Sequence, residues 1–156
     1  MNEQQQTPHN HLKRAYILIH IVLFLPVLLW PLPIVIFGNP MLADRLFPTW
    51  MLCVAVQLMV TVGMDSMLYR VSSFKQGIDT ALWVSLFAIF TISTLQRHES
   101  AWLFGVLFLI HSFRAAYPLL KAQPSANHWW LSLAWLRDIT TTFIIFFWLN
   151  INASGW

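Results

Sequence analysis

Five side chains with acid–base chemistry stand where apolar residues are expected: His20, Asp65, His111, Arg137 and Asp138. Arg114 joins them as a further cation. Two carboxylates, two guanidinium groups and two imidazoles can do three kinds of work. They can bind and pass a proton, hold an anionic group, or pair with one another as interior ion bridges. Paired histidines can also hold a haem iron from both sides, which makes His20 and His111 the only candidates for a cofactor. No second His pair and no Gly-rich packing surface accompanies them, so no cofactor is expected. His9 and His11 near the N-terminus have no third ligand nearby, and no metal site is expected there. HExxH, GxSxG and Gly-rich phosphate-loop patterns are all missing, which leaves no catalytic residue to name and points away from an enzyme.

The chain around these residues is 156 residues long, 58% hydrophobic and only 10% charged. A soluble domain has about 25% charged residues, so this composition belongs to a membrane protein. The net charge of +3 comes from Lys and Arg that form no patch, which argues against nucleic acid as a partner. Cys53 is the only cysteine, so no intrachain disulfide or thiolate metal site can form.

About 20 apolar residues span the hydrocarbon core, and five segments qualify: 15–37, 49–69, 78–95, 101–120 and 129–151. Short polar connections make sequential helices antiparallel neighbours. The expected fold is an all-α, polytopic five-helix antiparallel bundle forming one membrane domain over 15–151. A flexible polar tail is expected at 1–14 and a short tail at 152–156. Pro26, Pro31 and Pro33 should kink or unwind the outer half of the first segment. Asp79 should cap or stabilise the start of the third.

Lys and Arg set the orientation. With the N-terminus inside, the cytoplasmic parts hold Lys13, Arg14, Arg70, Lys75 and Lys121, against Arg45 and Arg97 outside. The positive-inside rule then puts the C-terminus outside, in a bacterial-type inner membrane. Tyr16, Tyr69, Tyr117, Trp129 and Trp130 would form an inner interfacial belt, and Trp30, Trp50, Trp102, Trp148 and Trp156 an outer one.

On this topology the polar residues gather on the inner side, roughly 6–14 Å past the boundary at 1.5 Å per residue. Cys53, Gln57, Thr61 and Asp65 follow at i+4 and share a helix face, as do His111 and Arg114 at i+3. A charge at the helix centre costs about 2.5–3.5 kcal/mol on insertion scales, so the charged residues should face inward and pair. Arg137 and Asp138 are adjacent, their side chains about 100° apart, and look like poor mutual partners. The expected pairs are Arg114 with Asp138 and Arg137 with Asp65, with the reverse pairing, Arg114 with Asp65 and Arg137 with Asp138, as the alternative. In another reading, 125–137 lies in the interface as a Trp-rich helix and Asp138 caps a later crossing from 139 to 156.

The role these features suggest is a non-catalytic subunit or accessory factor of a membrane complex, with the lipid bilayer and a membrane partner or second copy as its contacts. The rivals are a small proton-linked transporter or channel-like protein that uses the charged cluster, and a membrane enzyme or haem-binding redox subunit.

Overall fold

The bundle is built around one central helix. The computed structural model describes residues 7–37, 40–68, 74–120 and 129–155. Among them the chain forms six α-helices: α1 (Thr7–Leu29), α2 (Leu32–Phe37), α3 (Pro40–Leu68), α4 (Phe74–Leu95), α5 (Trp102–Leu120) and α6 (Trp129–Gly155). A single 3₁₀ turn, His98–Ser100, joins α4 to α5. No strand occurs among the described residues. Four stretches are long and apolar enough to cross a membrane: His11–Leu29, Arg45–Leu68, Phe74–Leu95 and Trp129–Ile151. The apolar part of α5, Trp102–Tyr117, is shorter. The polytopic all-helical fold is as expected from the apolar segments.

Helix α3 occupies the centre because it is apolar or small on nearly every side that a neighbour can reach. Met51, Val54, Leu58 and Val62 are fully buried, and α1, α2, α4 and α5 all pack against it. The most extensive pairing is between α5 and α6. Small residues explain it, because Gly105 lets the two backbones approach until the Phe146 ring fills the space its side chain would take. By contrast α1 and α4 bury only a narrow stripe each. Leu18, Ile21 and Val22 of α1 and Leu82, Leu86 and Ile89 of α4 face outward, as lipid-facing positions do.

Pro31 lies where the first segment is interrupted, as expected, whereas Pro26 is carried inside α1 and Pro33 inside α2. Pro26 lies inside the helix, where it cannot donate a backbone hydrogen bond. The helix stops at Leu29, and a turn at Trp30–Pro31 leads into α2. The other boundaries differ from those read in the sequence. Residues 7–14, grouped with the polar tail, already belong to α1, and residues 152–155 continue α6. The stretch 40–48, read as part of a loop, forms the first turns of α3 with Pro40 opening the helix, where its missing N–H costs nothing. Helix α4 starts four residues before Ile78, so Asp79 sits beyond the first turn, exposed, and does not cap it.

Helix α6 is continuous from Trp129 to Gly155. Asp138 lies inside it and is fully buried, so it does not cap a separate crossing that starts at 139. The other part of that reading, residues 125–128, falls outside the described residues, as do Tyr69, Arg70, Lys121 and Trp156.

The aromatic belts are only partly present. Trp102 and Tyr117 are exposed. Trp50 and Trp148, however, are core residues, and Trp50 Nε1 donates to the Val27 carbonyl at 3.0 Å. Packing decided these positions because an indole inside a bundle can bury its ring and still satisfy its N–H at a neighbour's carbonyl.

Two apolar clusters bracket a polar layer. The larger contains Leu58 and Val62 of α3, Phe104 and Phe108 of α5, and Ile145 of α6. The smaller, at the other end, consists of Ala115, Trp130, Leu131 and Ala134. Between them along the same helices come Asp65 and Ser66, His111 and Ser112, and Asp138, Thr141 and Thr142, all buried.

Candidate functional site: a buried ion layer joining four helices

Each helix sends one side chain, or two, into this layer because the apolar residues on either side fix its rotation. On α3 the i+4 series brings Gln57, Thr61 and Asp65 to one interior face, with Cys53 half-buried at its edge. On α5, Phe104, Phe108 and His111 share the inward face, and on α6 Ala134, Asp138, Thr141 and Ile145 do so.

Arg137 is the hub. Its Nη2 donates to Asp65 Oδ2 at 2.8 Å, its Nε to Asp138 Oδ1 at 2.8 Å, and its Nη1 to the Tyr16 hydroxyl at 3.0 Å. Tyr16 in turn donates to Asp65 Oδ1 at 2.6 Å. The second Asp138 oxygen, Oδ2, lies 2.7 Å from His111 Nδ1. His111 Nε2 faces Asp65 Oδ2 at 3.9 Å. All four carboxylate oxygens are thus engaged, and Asp65 and Asp138 are 1% and 0% exposed. Tyr16 from α1, Asp65 from α3, His111 from α5 and the Arg137–Asp138 pair from α6 form one closed circuit.

Arg137 with Asp65 is the pair expected from the sequence. Arg114 with Asp138 is not formed. Asp138 is held instead by His111 and by Arg137, its own sequence neighbour. Adjacent side chains do diverge by about 100°, but the bond leaves from Nε, near the base of the guanidinium, so Arg137 can reach back to Asp138 while its far nitrogens extend to α3 and α1. Arg114 turns toward α4 and lies over the Trp83 ring, 4.7 Å from its centroid, a cation–π arrangement.

Of the other residues singled out, Gln57 sits above the ion layer and donates to Thr141 Oγ1 at 3.0 Å. Thr61 is fully buried beside it. His20 is one turn beyond Tyr16, with Nδ1 donating to the Tyr16 carbonyl at 2.7 Å and the two rings 4.2 Å apart. The sequence reading missed Tyr16, assigned to the inner belt and found almost fully buried. Only its spacing from His20, i to i+4 on one helix face, pointed inward.

The donor set bears on what the layer can bind. Asp65, His111 and Asp138 bring one ligand atom each within 4.8 Å of the others, as a metal site would. The carboxylate oxygens are already used by Arg137, Tyr16 and His111, and a divalent cation here would sit against a guanidinium. The set therefore suits an arginine better than a metal. His111 Nδ1 is held by Asp138 and its Nε2 faces Asp65 Oδ2 at 3.9 Å, so axial ligation through Nε2 would bring an iron against the Asp65–Arg137 pair.

The fold and layer together define a helical bundle with four helices long and apolar enough to cross a membrane and a buried, hydrogen-bonded ion layer inside it. No protein-family model matches the chain, and no curated protein or solved structure matches it.

Proposed function

We propose that this chain is an integral membrane protein of a bacterial-type inner membrane, N-terminus cytoplasmic, acting as a non-catalytic subunit or accessory factor of a membrane complex. The observation that carries this reading is the closure of the ion layer. Every carboxylate oxygen has a partner, and apolar clusters seal the layer at both ends. Such a circuit fixes the mutual placement of four helices and leaves their outer faces for lipid or a partner. Purification from native membranes in mild detergent, followed by mass spectrometry, tests it. A partner at stoichiometric amounts is expected, and a monodisperse lone chain would count against it.

A second reading, a small proton-linked transporter, rests on one specific observation. His111 stands between two carboxylates of different helices. Arg137 and the two carboxylates sum to −1, and an imidazolium brings the layer to zero. A neutral ring donates to Asp138 alone, whereas a charged one would also pair electrostatically with Asp65 across 3.9 Å, so one proton would change the link between α5 and α3. Proton or solute flux in proteoliposomes that is lost in Asp65→Asn would favour this reading. Flux absent from the wild type would remove it.

A further inference from the structure

A groove of about 280 Å³ runs along the outside of the ion layer, between α1 and α6. Its walls are apolar: Ile17, Ile21 and Phe24 on one side, Leu133 and Leu136 on the other. Its polar contributors are Tyr16, His20, Arg137 and Thr140. Tyr16 is spent on the ion layer, and Thr140 donates to its own helix at Leu136 O, 2.7 Å away.

His20 and Arg137 each keep something in reserve. His20 Nδ1 faces a carbonyl oxygen, which only accepts, so Nδ1 carries the proton and Nε2 of the neutral ring is an acceptor. His20 is 7% exposed, and Nε2 is buried with no hydrogen-bond partner among the described residues. An orphaned buried acceptor is costly and calls for a reason. Arg137 has five N–H groups, of which the described bonds use three. The polar end therefore offers one acceptor and spare donors, which together suit a hydroxyl: it donates to His20 and accepts from Arg137.

Depth and charge narrow the class further. His20 lies five residues beyond Ala15, where the apolar run begins after Lys13 and Arg14, or about 7.5 Å at 1.5 Å per residue. With a hydrocarbon core about 30 Å thick, that is below the phospholipid headgroups. The Arg137 charge is already offset by two carboxylates, so no net positive field draws an anion inward. The head must be neutral. Phe24, half-buried, and the edges of the largely buried Tyr16–His20 ring pair line the groove with aromatic carbon. The tail has somewhere to go as well. Leu25 lines both this groove and a second, wholly hydrocarbon-like one of about 480 Å³, which continues past Pro26 and Leu29 to Pro33 and Leu46.

We infer that the α1–α6 groove is a binding site for a lipid-soluble hydroquinone, its ring hydroxyl on His20 Nε2 and Arg137 and its tail along α1. The site holds the molecule and carries out no electron transfer. It stands whether the ion layer is a lock or a proton site.

The test uses the full chain in phosphatidylcholine nanodiscs under anaerobic conditions, with a tritiated benzohydroquinone carrying a ten-carbon tail. Saturable binding at one site per chain is expected. His20→Phe, which keeps a flat ring without the acceptor, weakens binding at least tenfold. Leu136→Trp, at an exposed position, does the same by filling the groove. Leu82→Trp on the far face of α4 leaves binding unchanged. Non-saturable partitioning, or wild-type affinity in both His20→Phe and Leu136→Trp, overturns the proposal. So does displacement by farnesol or phosphatidylglycerol at concentrations equal to the probe, which would make the occupant an aliphatic alcohol or bulk lipid.

Discussion

Arg137 serves three partners on two other positions of the circuit and one neighbour, which only a planar fork can do. Removing it leaves two buried carboxylates with one imidazole between them. Breaking a buried ion pair this way costs about 3–5 kcal/mol. For a chain of this size, about 2–4 °C per kcal/mol lowers the thermal midpoint of Arg137→Gln by roughly 6–20 °C in detergent. Arg137→Lys should recover little of this, because one ammonium cannot reach Asp65, Asp138 and Tyr16 together. The triple variant Asp65→Asn, Arg137→Gln, Asp138→Asn should regain most of it, since no unpaired charge remains. Tyr16→Phe is milder. It removes a bond to a charged acceptor, worth about 1.5–3 kcal/mol, and the same melting measurement should rank it between wild type and Arg137→Gln. Four of the layer's five members were legible in the sequence for one physical reason: a charge or imidazole inside an apolar run is too costly to face lipid. Tyr16 was not, because a tyrosine at the inner end of a span satisfies the interfacial rule equally well, and only the fold decides between them.

At the scale of elements, two helical glycines make opposite predictions. A Cβ on Gly105 would lie 2.8 Å from Phe146 Cε2, at the tightest helix pair in the bundle. The Phe146 ring is 40% exposed and can yield to a methyl group but not to a branched chain. Gly105→Leu should therefore cost about 1–3 kcal/mol, and Phe146→Ala in the same chain should restore part of it. A Cβ on Gly63 meets nothing within 4 Å, so Gly63→Ala should stabilise α3 by about 0.5–1 kcal/mol through helix propensity alone. Unfolding midpoints of the three variants decide both statements, and a stabilised Gly105→Leu would contradict the close α5–α6 approach. Apolar run length located the helices, since length and hydropathy dictate spans. It misjudged their ends at residues 7, 40 and 74 because polar residues beyond a span cost nothing in a helix that continues into water. Pattern alone also could not pair the helices. The Asp138 partners came out differently because side-chain reach along Arg137, not helix rotation, settled them.

For the whole molecule, the proposed orientation follows from five cytoplasmic Lys and Arg residues against two outside. Two exposed positions at opposite ends of α4 report it: Lys75 in the first turn and Arg97 just past the last. In a Cys53→Ser background, whose native thiol is half-buried, Arg97→Cys should react with a membrane-impermeant maleimide in intact spheroplasts. Lys75→Cys should react only after the membrane is opened. The reverse pattern would place the N-terminus outside and put the ion layer in the outer leaflet half. The ion layer lies nearer the N-terminal end of α1, past Lys13 and Arg14, than its end at Leu29. The orientation therefore also decides which compartment lies closer to His111 and to the polar end of the α1–α6 groove. With the N-terminus inside, both lie closer to the cytoplasm, separated from it by Ala115, Trp130, Leu131 and Ala134. A bulky Ala134→Trp in that smaller cluster should then destabilise the bundle through overpacking by about 1–3 kcal/mol, without altering which maleimide position is labelled from which side.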